Sequence, residues 1–232
     1  MAVRESIMSR RTAAHEPEHP AQKSSYVFYT EPCNTHVMTT ANRNAGFVTR
    51  CRQLADAANP VFATVALLAP TLLLGVAVAL NNLELLFYTH VASGAMWFGL
   101  GTLLPILIGP TMGTLTPDAA KQVAAKLTPK VGYLGIGLGF GTVASGTVLA
   151  KQMGYLATGG SWVMIALIAG WALFIFGTVF THRYHLQSYY EAHSDNPDPA
   201  VLDSLEQKTV LVGIVETIWM FFIILTMTQL RL

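Results

Sequence analysis

The sequence predicts an all-α, polytopic helical membrane protein with five transmembrane helices. Composition points there first: 52% of the residues are apolar and only 12% charged, a balance outside the soluble globular range. Second, five apolar runs, 61–80, 85–108, 133–150, 162–181 and 210–229, each approach the length that crosses a bilayer. At 1.5 Å rise per residue, about 20 residues span a hydrocarbon layer of roughly 30 Å. Third, helix-start signals stand before several of these runs. The formal net charge of +1, with basic residues scattered rather than striped, leaves no electrostatic footprint for nucleic acid. Cys33 and Cys51 lie outside the apolar runs with no CxxC or Cys/His spacing, so neither a zinc site nor a disulfide framework is indicated.

Residues 1–58 precede the first span. To about Arg52 they are polar, mixed in charge and broken by Pro17, Pro20 and Pro32, too little apolar surface to order a domain. A disordered cytoplasmic N-terminal segment is therefore expected for 1–58, with 59–232 as the transmembrane domain, and no cleavable secretory signal is expected. Asn59-Pro60 reads as the start of span one, whose mid-point Pro70 predicts a kink. Span two holds His90, Trp97 and Pro105. Thr116-Pro117-Asp118 predicts a short helix to about Leu127, and Thr128-Pro129 a fresh start before span three. Gly137, Gly141 and Ser145, four apart, with Gly135 and Gly139 on the next ridge, mark span three as the closely packed central helix. Trp162 opens span four. Asn196-Pro197 breaks the chain, and Asp198-Pro199 starts an amphipathic lead into span five.

Lys and Arg are unevenly shared between the two sides. Arg43, Arg50, Arg52, Lys121, Lys126, Lys130, Arg183 and Lys208 fall on one, Lys151 and Arg231 on the other. The asymmetry predicts a multi-pass cell-membrane protein with its N-terminus cytoplasmic and its C-terminus outside. His90 then lies near the outer end of span two, and His182 and His185 at the inner end of span four. These histidines cannot share one haem iron.

His90 is the only histidine inside a span. An ionisable side chain at that depth must face the bundle or a polar cavity, which makes it a functional candidate. Trp97 follows seven residues on, nearly two turns, so indole and imidazole share a face, and Gly94, Ala95, Gly99 and Gly101 leave room beside it. Met153, Met164 and Met227 sit toward the outer side; imidazole with thioether suits Cu(I), or haem iron. On the inner side His182, His185 and Tyr189 form one stripe if span four continues as a helix, with His193 a turn further. Glu216 lies about two turns into span five. It is expected to face the bundle near His182 or Arg183, as a neutral packed group or a proton relay.

His90, Trp97 and Pro105, with Gly99 and Gly101 around the tryptophan, resemble the first shared helix of the CopD-like (copper-resistance D) membrane proteins and the related HemJ-like protoporphyrinogen oxidases. Thr128-Pro129 before a Gly-rich helix ending near Gly146, then Trp162 before a helix ending in His182 and His185, extend the resemblance over about residues 83–185. It implies that spans two to five form a four-helix core. It also implies haem b or copper held through His90, with Trp97 beside it, in redox chemistry or metal homeostasis. The lysine that the HemJ-like enzymes carry soon after the equivalent of Trp162 is absent from 163–168, which counts against the oxidase activity. Two other readings accompany this one: a copper-import permease stepping from His90 and the outer methionines, Met164 among them, to His182 and His185, and a cofactor-free accessory protein. Expected partners are the lipid bilayer and, within it, a second copy of the chain or a redox partner.

Overall fold

The structure is a computed structural model that describes residues 47–158, 160–194 and 196–229. All described residues are helical or in short turns between helices, and five helices are long and apolar enough to cross a membrane. The expected fold class therefore holds. The expectation of disorder over 1–46 lies outside the described residues, but 47–58 departs from it: Phe47–Ala58 is a helix, α1. Its amphipathic pattern supplies the cause, since Leu54 and Ala58 are buried and α1 docks on the transmembrane helices.

Span one is α2, Pro60–Ala79, capped by Asn59, whose Oδ1 accepts from the Val61 and Phe62 amides at 3.0 and 3.4 Å. Span two begins as α3, Leu83–Leu103, capped by Asn82. A π-helical turn, Leu104–Ile108, and α4, Gly109–Gly113, carry it on. Pro105 lies in that turn and has no N–H for the Gly101 carbonyl. The Thr217 hydroxyl, bonded to Gly213 O at 2.8 Å, approaches that carbonyl at 3.4 Å from the last span.

Span three corrects the sequence reading. The short helix to Leu127 and the fresh start at Pro129 are one unbroken helix, α5, Pro117–Gln152, 36 residues long. Thr116 caps it as expected, through a 3.4 Å bond from the Ala119 amide. Pro129 accepts a helical φ as readily as a first-turn proline does, and its side chain is fully buried. That burial offsets a missing backbone bond and ring crowding that together cost about 3 kcal/mol in an exposed helix.

Beyond α6, Tyr155–Thr158, span four runs as α7, Gly160–Phe176, a π-helical turn, Gly177–Thr181, and α8, His182–Ala192. The helix does continue through the histidine stripe. Span five is α9, Pro199–Thr228, capped by Asp198 through the Ala200 amide at 2.9 Å. Helix α3 packs on α5, α5 on α7, α7 on α9, and α9 returns to α3, so spans two to five close a four-helix ring. Helix α2 lies outside the ring against α5 and α3.

Glycines on two faces of α5 set these contacts. Gly137 faces the Ala66 carbonyl and Gly141 faces Pro70, both on α2, at distances only a missing Cβ allows. At 100° per residue these two lie about 160° to either side of Gly139, which faces the ring interior. Gly137 and Gly141 thus do the close packing expected of the stripe, against α2. Leu72, Ile106, Ile168 and Ile218 are exposed on the outer faces, where a bilayer would cover them.

Candidate functional site

The ring encloses a cavity of about 590 Å³, within the range of small-molecule and cofactor sites. It runs from Met153, Tyr155 and Met227 at one end to Trp97, Leu173 and Met220 at the other. On α5 its wall extends from Thr142 to Ala150, about 12 Å by the helical rise. No Asp, Glu, Lys or Arg lines it.

His90 stands on the cavity wall, held by α5. Gly146 makes this possible: a Cβ there would lie 2.7 Å from His90 Cε1 and 2.9 Å from Nδ1. With no side chain at 146, the imidazole reaches the helix backbone, and its Nδ1–H donates to the Thr142 carbonyl at 2.8 Å. The same carbonyl accepts from Ser145 Oγ at 3.1 Å. A carbonyl only accepts, so Nδ1 carries a proton, and in the neutral imidazole Nε2 then keeps its lone pair. Nε2 has no hydrogen-bond partner among the described residues. An imidazole oriented through one nitrogen with the other free is the arrangement in which histidine ligates a metal.

One heptad along α5, Gly139 receives Trp97 and Phe174, whose nearest ring atoms would lie 3.1 and 3.0 Å from a Cβ. Phe140, Trp171 and Phe174 extend this layer, with centroids 6.1–6.5 Å apart, and Trp171 Nε1 donates to Thr147 Oγ1 at 3.1 Å. A second heptad on, Gly132 receives His182, whose Cε1 would be 2.7 Å from a Cβ. Gly146 and Gly132 are 14 residues apart, about 21 Å along the helix. His90 and His182 thus occupy equivalent notches on one helix at separate levels, as their separation across the membrane required.

The expected site residues divide accordingly. His90 and Trp97 meet at the cavity, joined by Met153, Met227 and Met220, the last not singled out from sequence. Met164 does not join them. Its neighbour Val163 faces inward at 2% exposure, and one residue turns the chain about 100°, leaving Met164 48% exposed on the outer face. His182 and His185 share α8, away from this cavity. His193 bonds its own helix, Nδ1 to Tyr189 O at 2.8 Å. Glu216 pairs with neither His182 nor Arg183. Thr181 Oγ1 donates to its Oε1 at 2.7 Å, and the carboxyl rests against Gly177, where a Cβ would be 2.6 Å away. The π-helical turn brings these two residues to α9, a local irregularity with no simple sequence signal. Among the described residues no three His, Cys, Asp or Glu side chains gather as a metal-binding group.

Compared with family models, curated proteins and solved structures, the chain returns no match. The resemblance to the CopD-like and HemJ-like proteins rests on the quoted residues alone.

Proposed function

We propose that this protein holds haem b in the cavity beside His90, as a membrane redox protein. The carrying observation is the seat of His90, which lines the cavity while its Nδ1 lies 2.8 Å from Thr142 O, leaving Nε2 without a hydrogen-bond partner among the described residues. The residues fit the ring of a haem, with one oriented imidazole for the iron, thioethers at Met153, Met220 and Met227, the Trp97 indole at one end and long apolar walls, while its two propionates would have to reach beyond this uncharged lining. Bound there, the haem would supply one-electron chemistry, while the chain orients the ligating nitrogen, excludes water and tunes the iron through the Thr142 bond. The missing lysine in 163–168 speaks against a HemJ-like oxidase reaction.

Copper is the second reading, favoured by thioethers and an imidazole lining one cavity, donors that suit Cu(I). As an import permease the protein would need a route from His90 to His182 and His185. The layer of Trp97 and Phe174 on Gly139 lies across it. A membrane-embedded accessory protein without a cofactor is the third.

The orientation belongs to the same proposal. It is supported by Lys121, Lys126 and Lys130 on the first half of α5 and Arg183 and Lys208 near the same end of the bundle, against Lys151 at the other. A redox partner or second copy in the bilayer would complete the system. The test is wild type beside His90→Ala, expressed with haem precursors and copper, purified in mild detergent and examined by absorption and metal analysis. A Soret band in wild type, lost in a monodisperse mutant, is expected. Full retention by the mutant removes His90 from the site, copper without a Soret band favours the second reading, and neither favours the third.

A further inference from the structure

The cavity wall is closed on two helices and open on the other two. On α5 and α7 every lining residue is buried or half-buried, from Thr142 to Ala150 and from Val163 to Leu173. On α3, Phe87, Val91 and Ala95 line the cavity and are exposed, and on α9 so are Ile224 and Met227. Phe87, Val91 and Ala95 follow at four-residue intervals, one ridge of α3. Exposed lining residues on two adjoining helices mark where the cavity opens.

The side-chain contacts that tie α3 to α9 lie on the other side of that mouth. Phe98 meets Phe221 edge to face at 5.1 Å, Met220 covers Gly101 with its Cε 3.2 Å from where a Cβ would be, and Thr217 approaches Gly101 O at 3.4 Å. These seal the lower half of the seam. Above Phe98 the helices leave a gap rimmed by Phe87, Val91, Ala95, Ile224 and Met227, apolar throughout.

We infer that the cavity is loaded sideways from the bilayer, through this seam between α3 and α9, and is built for a flat, lipid-dissolved ring compound. The inference rests on the reading of the His90 cavity as a binding site. Both helices are membrane spans, so the seam faces acyl chains. A ligand coming from water as an ion would shed its hydration among residues that carry no charge to replace it. A ring dissolved in the acyl region has already shed that water, and would pass edge first between the two helices toward His90.

The seam can be tested without any cofactor through Trp97, which lines the cavity. A variant keeping Trp97 as its sole tryptophan, with Trp162, Trp171 and Trp219 replaced by Phe, is placed in vesicles of phosphatidylcholine brominated along the acyl chain. Should that variant not fold, the difference between wild type and Trp97→Phe gives the same signal. Trp97 fluorescence is expected to be quenched by the bromines and shielded from aqueous iodide. Ala95→Phe, which narrows the mouth, is expected to reduce the bromine quenching and to slow uptake of haem from preloaded vesicles about tenfold. Quenching by iodide but not by bromolipid, or bromolipid quenching untouched by Ala95→Phe, overturns the seam. Wild type that takes up no haem, with its bromolipid quenching relieved by Ala95→Phe, keeps the seam and removes the haem reading, leaving a lipid chain as occupant.

Discussion

Gly146→Ala sets two effects of similar size against each other, and the structure decides their sign. The new Cβ would lie 2.7 Å from His90 Cε1, whereas carbon atoms settle at about 3.5–4.0 Å, so the imidazole must withdraw by about 1 Å. Its 2.8 Å bond to Thr142 O then passes beyond hydrogen-bonding range. Losing that bond costs about 1 kcal/mol net, or up to about 3 if the donor stays buried and unpaired. Alanine returns about 1 kcal/mol of helix propensity. The net effect on stability is a loss of about 0–2 kcal/mol, while the imidazole loses the contact that orients it. Gly135→Ala is the control, because its Cβ meets only Leu100 Cδ2, at 3.9 Å, and so keeps the full propensity gain of about 1 kcal/mol. Thermal or denaturant unfolding of both variants in one detergent, with a haem spectrum of each, makes the comparison. Gly146→Ala should fall about 1–3 kcal/mol below Gly135→Ala and lose most of its Soret absorbance. If the two are equally stable with equal spectra, Gly146 is not the seat of His90 and the argument for an oriented ligand fails.

Gly137→Ala should be the more severe lesion, at about 3 kcal/mol or more, because its Cβ would enter the Ala66 carbonyl and the rigid backbone of α2 must move away; unfolding of the reconstituted protein measures it. Glu216→Gln should fold within about 1 kcal/mol of wild type, since the amide oxygen still accepts from Thr181. Turnover or proton transfer lost by a folded Glu216→Gln protein would mark the carboxyl as a relay; unchanged function would mark it as packing. A reporter inserted at 114–116 should be active only in the cytoplasm and one fused after Arg231 only outside, and the reverse pattern would invert the orientation.

The spans were legible because hydropathy over about 20 residues is a bulk property, insensitive to local detail. Asn59, Thr116 and Asp198 were legible as caps because a side-chain acceptor before a proline or an apolar run has few other local uses. Pro129 misled for the same reason: the local signal of a helix start and that of an interior proline are identical, and only burial separates them. His90 stood out by its depth and Trp97 by its register. The second set of glycines did not. Gly132, Gly139 and Gly146 are interleaved with the stripe at Gly137 and Gly141, and only the neighbouring helices show that one set takes α2 at Ala66 and Pro70 and the other takes the rings of His182, Trp97, Phe174 and His90. Met220 and Thr142 carried no signal, since a methionine in a span is ordinarily packing and a backbone carbonyl has no residue type. Glu216 was placed correctly inside the bundle, but its partner came from a π-helical turn, which shifts every later residue of span four round its axis.

Glycines at 132, 139 and 146 make α5 a measuring rod. Because each ring docks where a side chain is missing, the levels of the two imidazoles are set by counting residues on a single helix. Adding or deleting one residue between positions 132 and 146 would rotate one notch by about 100° against the other and shift it by 1.5 Å. One histidine would keep its seat and the other would meet a side chain. A conservative change of length inside this apparently permissive, glycine-rich stretch is therefore far more disruptive than most changes of side chain on the lipid-facing surface. The cavity at His90 and the level of His182 are held in step by arithmetic along one backbone, with no loop between them to absorb an error.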